Sequence, residues 1–236
     1  MLITKSTPLA GNSLEGSEME KFNAREGSRI VIDIARAVEE NVQYLSEIDG
    51  AIGDGDHGVN LNKGFAICKK ELEENPGDMS YGLRTLAKVL MVNIGGSIGP
   101  LYGSFFRAMS KVCENNEYID GSLFREMLNS GQSAIVSIGN AKVGDKTLLD
   151  TLVPATEAFN TQMEESGGFS EALDAMVNAA KGGRDSTKNM VAKLGRASQL
   201  GDRSLGMLDP GAVSCFLILE SISRSIKVLL EQVDTV

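Results

Sequence analysis

The sequence predicts an all-α fold of about eight helices, in which neighbours run antiparallel as an up-and-down bundle. Three observations lead there. Apolar residues recur at three- and four-residue spacing through most of the chain. Convincing period-two strands are absent. The connections are short and rich in Gly, Pro, Asp and Asn, so sequential helices pack side by side in opposite directions.

Residues 1–22 carry Pro, Gly, Ser and Thr without periodicity and read as a flexible arm, leaving 23–236 as one domain. The first helix places Ile30, Ile34, Ala37, Val38, Asn41 and Leu45 on one face. Phe65, Cys68 and Leu72 mark a second, stopped at Asn75-Pro76-Gly77. Leu83, Leu86, Leu90 and Ile94 mark a third, halted by Gly95-Gly96. Pro100 suits the first turn of a fourth, through Phe105, Met109 and Val112. Ser122 is placed to cap the fifth, with Phe124, Leu128 and Ile135 on its face. Asp145 is placed to cap a sixth, built on Leu148, Leu152, Ala155 and Phe159. A seventh starts at Phe169 and passes Gly182-Gly183, a pair that fits either a kink or a close helix contact. After the glycine-rich stretch 195–211, Asp209-Pro210 opens the last helix, with Cys215, Leu219, Ile222, Ile226 and Leu229 inward.

In such a bundle alternate loops share an end. The loops at 49–64, 95–100, 139–146 and 195–211 are each two helices apart, so all four can meet. They are also the loops richest in Gly, Asp, Ser and Asn. One end of the bundle is therefore the expected site.

Composition narrows what that site does. The chain has 236 residues and a formal charge of −9, with 23 basic against 32 acidic side chains. No basic excess is available to neutralise nucleic-acid phosphates. Three dispersed cysteines, none in a CxxC pair, support neither a disulfide framework nor a cysteine zinc site. No apolar run reaches signal-peptide or membrane-span length, so a cytoplasmic protein without a membrane partner is expected.

The densest chemistry lies in residues 49–64, D-G-A-I-G-D-G-D-H-G-V-N-L-N-K-G. They hold Asp49, Asp54, Asp56, the sole histidine His57, Asn60, Asn62 and five glycines. Converging hard oxygens on a flexible backbone suit a divalent cation such as Mg²⁺, which commonly bridges to phosphate. The literal GxGxxG match in G-D-G-D-H-G is rejected. A helix precedes it where the dinucleotide fingerprint needs a strand, and its two aspartates repel phosphate unless a cation intervenes. An EF-hand fails too, because its twelfth position would be Phe65. The G-G-S-I-G-P segment offers free amides at a helix start, and Arg196 and Arg203 lie in the last loop. Lys146-Thr147 lacks the glycine spacing of a Walker motif. Cation, amides and arginine at one end describe a polyphosphate site, hence phosphoryl transfer, where catalysis is chiefly positioning and charge neutralisation.

Five segments, in order, resemble the L subunit of dihydroxyacetone kinases: I-G-D-G-D-H-G-V-N-L-N-K-G-F, G-G-S-I-G-P-L-Y-G-S-F-F, G-D-K-T-L-L-D, G-R-A-S-Q-L-G-D-R-S and D-P-G-A. The resemblance runs from about residue 30 to the C-terminus. It implies an eight-helix antiparallel barrel holding ADP or ATP at one end. Asp49, Asp54 and Asp56 stand at the positions that bind two Mg²⁺ ions. His57, Gly58, Val59 and Asn60 stand along the nucleotide, and Ser97 and Ile98 at the phosphate-side turn. Gly139 and Leu148 correspond to base-side contacts, Leu148 replacing the Met of some members, and Arg196, Asp209, Pro210 and Gly211 to the ribose and base rim. No catalytic nucleophile is assigned.

The resemblance further implies a separate K-type subunit that holds a keto-sugar such as dihydroxyacetone. The phosphoryl donor is either a phosphotransferase-system protein that recharges bound ADP or an exchangeable ATP. A homodimer of the chain stays open, as do an ATP-dependent triose or tetrose kinase component and a nucleotide-sensing regulatory subunit.

Overall fold

The computed structural model describes residues 20–165 and 168–233. It bears out the all-α fold. Among the described residues there are nine α-helices: α1 (Gly27–Glu40), α2 (Val42–Ile52), α3 (His57–Glu74), α4 (Met79–Asn93), α5 (Ile98–Val112), α6 (Gly121–Ile138), α7 (Leu149–Glu165), α8 (Phe169–Ser186) and α9 (Pro210–Val233).

The ninth arises because the expected first helix breaks at Asn41. Its amide Nδ2 donates to the Ala37 carbonyl at 2.8 Å, and its backbone N–H turns to Val38 instead of Ala37. An asparagine side chain competing for a helical carbonyl ends α1, and α2 restarts at a new angle. The other eight close a ring. Each of α3 to α9 packs on the next, and α1 bridges α9 and α3. The segment α2 lies outside that ring, against α3, α9 and the loop before α9.

One continuous core fills the barrel, from Ile30, Ile34 and Val38 of α1 to Ile222, Ile226 and Leu229 of α9. Phe65, Phe105 and Phe106 form edge-on pairs in one half, and Phe124, Phe159 and Phe169 in the other. The Gly182-Gly183 pair proves to be a close contact. Helix α8 continues to Ser186, and a Cβ on Gly183 would drive into the Asp150 carbonyl of α7.

Two strands escaped the sequence. Strand β1 (Lys21–Asn23) pairs antiparallel with β2 (Tyr118–Asp120), setting Phe22 beside Ile119, and both side chains are buried. The ordered body thus begins before residue 23, because Phe22 is core. The rest of the expected arm, residues 1–19, lies outside the described residues. Ser122 does not cap α6; Asp120 does, accepting from Leu123 N–H at 2.8 Å.

Candidate functional site: an acidic turn at the start of α3

The path of the ring sends the ends of α2, α4, α6 and α8 and the starts of α3, α5, α7 and α9 to one end. The acidic residues meet there. Asp49 sits in the last turn of α2 and is buried, while Asp54 and Asp56 belong to the turn into α3. One carboxylate oxygen of each lies within 4.8 Å of the others. Three hard, anionic oxygens at that spacing fit Mg²⁺. Asp49 is held in place by the backbone N–H of His57 at 3.2 Å. Burial raises the Asp56 pKa, and the adjacent Asp54 carboxylate adds to it; Arg196 and Asn60 oppose.

Arg196 comes from the 3-10 stretch Arg196–Ser204, which packs on α2. Its guanidinium pairs with Asp54 and lies 3.6 Å from Asp56. All three side chains are about half exposed, so screening keeps this pairing to roughly 1 kcal/mol or less.

Two helix starts at this end carry no side-chain cap. Asp56 precedes α3 and Ser97 precedes α5, yet neither side chain accepts a bond from its helix. In α3 the His57 amide is already bonded to Asp49, which leaves Gly58 and Val59, and in α5 Ile98 and Gly99, as first-turn amides without a side-chain acceptor, as a phosphate site requires. Helix α9 differs, since Asp209 Oδ2 accepts from Ala212 N–H at 2.7 Å. Burial pushes the Asp209 carboxyl up to about 7, reinforced by Asp150 and opposed by the Ala212 amide and Lys146.

A buried polar network ties these starts together. His57 Nε2 and Ser214 Oγ lie 2.9 Å apart, Ser214 Oγ and Tyr102 OH 2.7 Å apart, and Tyr102 OH donates to the Gly211 carbonyl at 3.3 Å. His57 is thereby turned to α9, and burial lowers its pKa against the pull of Asp49. Gly58 has a packing reason as well, because a Cβ there would strike the Val42 carbonyl and Ser46. Tyr102 and Ser214 went unrecognised in the sequence, although each is a hydroxyl on an otherwise apolar helix face.

The remaining expected residues fall into two groups. Leu148 is buried beside Gly211, so α7 and α9 bring Leu148, Asp209, Pro210 and Gly211 together. Ser97 and Gly139 are exposed at the same end, Ile98 is buried behind Ser97, and the Val59 side chain points to solvent. Among the described residues no hydrogen bond or ion pair joins Ser97 or Gly139 to the acidic turn.

The α6–α7 loop departs from expectation. Asp145 folds its own loop instead of capping a helix: Oδ2 accepts from Lys142 N–H at 3.0 Å and Oδ1 from Lys193 Nζ at 3.2 Å. Asp150, inside the first turn of α7, accepts from Thr147 N–H at 2.7 Å and Gly144 N–H at 2.6 Å. Between them Lys146, only 1% exposed, sends its ammonium to the carbonyls of Thr187, Met190, Ser204 and Met207.

Comparison with known proteins agrees with this geometry. The DAK2 domain model matches residues 51–224. A PEP-dependent dihydroxyacetone kinase ADP-binding subunit DhaL of Listeria innocua is 34% identical over 202 residues, covering 84% of this chain and 93% of the relative. The ADP-binding subunit DhaL of the PTS-dependent enzyme of Lactococcus lactis is 40% identical over 186 residues, 78% and 88% of the two chains. The crystal structure of the C. freundii dihydroxyacetone kinase in complex with AMP-PNP and Mg²⁺ shares the fold at a TM-score of 0.66 and 22% identity, over 95% of this chain and 38% of that one. A helical ring carrying its acidic turn at one end, matched across most of its length by these subunits, places the chain in the DAK2 family, among the L subunits of dihydroxyacetone kinases.

Proposed function

We infer that this chain is the nucleotide-binding, phosphoryl-transferring subunit of a dihydroxyacetone-type kinase. The observation that carries the reading is the Asp49–Asp54–Asp56 cluster at the start of α3, on the same end of the ring as the uncapped start of α5. Carboxylates alone would repel a polyphosphate; paired with Mg²⁺ and free amides they hold one. Two Mg²⁺ ions shared by the triad would neutralise the phosphates and the charge that develops during transfer.

The protein's own residues supply position. Asp49, fixed by the His57 amide, would hold the metal from the buried side. The first turns of α3 and α5 face the phosphates, and Ser97 and Ile98 mark the second of these. Arg196 neutralises Asp54 and Asp56 and would turn to a bound phosphate or ribose. Leu148, against Gly211, forms the apolar wall for the base, with Gly139 and Pro210 at its rim. No side chain serves as nucleophile; the acceptor hydroxyl belongs to the sugar.

That sugar, a small keto-sugar such as dihydroxyacetone, is held by a K-type partner subunit docking at this end. The relatives' PEP- and PTS-dependent names favour ADP as a resident cofactor recharged by a phosphotransferase-system protein, over exchangeable ATP. No helix among the described residues is long and apolar enough to cross a membrane, and we place the subunit in the cytoplasm.

The test combines this chain with a K-type subunit, dihydroxyacetone and either a phosphorylated phosphotransferase protein or ATP. Triose phosphate formed with the protein donor and retained ADP supports the reading. Turnover with ATP alone reverses the donor assignment, and nucleotide binding without turnover from either donor favours a regulatory subunit.

A further inference from the structure

The Lys146 cage has no part in the site as described, yet among the described residues Lys146 is the most thoroughly buried charged side chain. Its four acceptors are all backbone carbonyls, at 2.7 Å (Thr187), 3.2 Å (Met190), 2.8 Å (Ser204) and, closer still, Met207. No carboxylate is among them. Lys146 also adopts φ +60°, a left-handed backbone that a lysine occupies only when its surroundings hold it there. An ammonium ringed by carbonyl oxygens at these distances copies the way protein carbonyls replace the hydration shell of a monovalent cation.

The placement of the acceptors gives the cage a purpose. Thr187 and Met190 precede Arg196 in the chain, and Ser204 and Met207 follow it. One charge therefore clamps both sides of the stretch that carries Arg196 to Asp54. Two further bonds lie across the same seam, Ala192 N–H to Ser204 Oγ at 2.9 Å and Gly206 N–H to the Lys188 carbonyl at 2.8 Å. Thr187 Oγ1 accepts from Asp209 N–H at 3.1 Å, so the clamp also abuts the start of α9.

We propose that the Lys146 ammonium is a tethered monovalent cation that positions the Arg196 loop, and that free NH₄⁺ or K⁺ replaces it when the side chain is cut back. Lys146 acts through the loop and is a positioning residue. The positioning half rests on the reading of Arg196 as part of the nucleotide site; the cage half does not.

The test compares wild type, Lys146→Ala and Lys146→Met in choline, potassium and ammonium chloride at matched ionic strength. Thermal midpoint and Mg–ADP affinity are both measured. Lys146→Ala in choline should show a lowered midpoint and about tenfold weaker Mg–ADP binding, and NH₄⁺ or K⁺ should restore most of each. Lys146→Met, whose side chain fills the cage, should not be rescued, and wild type should ignore the cation. If Lys146→Ala fails to fold in choline, recovery of folded protein on adding NH₄⁺ or K⁺ supports the cage. Equal behaviour in all three salts overturns it. A rescued midpoint with unchanged Mg–ADP affinity in the variant overturns the positioning role. Wild type that binds no Mg–ADP overturns the nucleotide reading while leaving the midpoint test of the cage intact.

Discussion

The two ends of the barrel are built by opposite rules. At the end away from the acidic turn, Phe22 and Ile119 fill the opening across the β1–β2 pair. Two of the four helices that start there are finished by their own N-cap side chains: Asp78 accepts from Tyr81 N–H at 2.7 Å and Asp120 from Leu123 N–H at 2.8 Å. Helix α8 is served by Glu20, which accepts from Ser170 N–H at 2.9 Å, and α1 starts without a side-chain cap. At the acidic end, α3 and α5 start without such caps, and polar groups are buried in Tyr102, Ser214, Lys146 and Asp150. The closed end uses its carboxylates as helix caps; the acidic end gathers three of them in one turn and leaves the Asp56 and Ser97 side chains off their helix amides. In a protein of this size that asymmetry locates the function, since unsatisfied helix starts are tolerated where a ligand completes them.

Changes at the closed end should cost stability and spare binding. The largest effect is expected for Phe22→Ala, which empties a core site and should lower unfolding free energy by about 3–5 kcal/mol. Chemical denaturation measures the loss, and calorimetry of the still-folded variant should give wild-type Mg–ADP affinity. Loss of binding in folded protein would show that the ends are not independent.

Next in size is a pH effect confined to the open end. Burial raises the Asp209 pKa to about 7, far above an ordinary carboxyl. A raised pKa means the folded form holds the proton more tightly, so this contribution is complete below about pH 4 and is lost as pH climbs to about 7. Wild type should therefore lose stability relative to Asp209→Asn across that window and run parallel to it above. Thermal melts at a series of pH values read the difference; parallel curves throughout would mean Asp209 is solvated.

The smallest effects compare helix starts directly. Asp120→Ala removes a made cap and should cost about 1 kcal/mol. Ser97→Ala removes none, and its stability should stay within about 0.5 kcal/mol of wild type. Equal losses at both would erase the distinction between the ends.

Much of this was legible in the sequence, because helical periodicity and Gly- or Pro-marked stops are local signals. The convergence of four loops followed from helix alternation alone. What was missed depends on distant partners. Asn41 looked like one more residue on the α1 face, and only its bond to Ala37 shows the break. Phe22 sat in an unpatterned segment, and a three-residue strand carries too little alternation to be noticed. Ser122 and Asp145 are good capping residues by type, but Asp120 had the geometry at α6, and Asp145 folds back on its own loop. Lys146 resembled a failed phosphate-binding motif; its four acceptors come from a segment 41 to 61 residues away. Within the site, the acidic turn was readable from density of ligands, whereas the Tyr102–Ser214 link required knowing which helix faces meet.

The central claim is that the acidic turn holds a metal that in turn holds a nucleotide. Titration of Mg–ADP into wild type and Asp54→Asn, with circular dichroism on both, tests it most directly. Asp54 is half exposed in a turn, so its loss should leave helicity unchanged. Binding should be at least about tenfold weaker in the variant and Mg²⁺-dependent in wild type. Equal affinity in the two proteins, or wild-type binding indifferent to Mg²⁺, would contradict it.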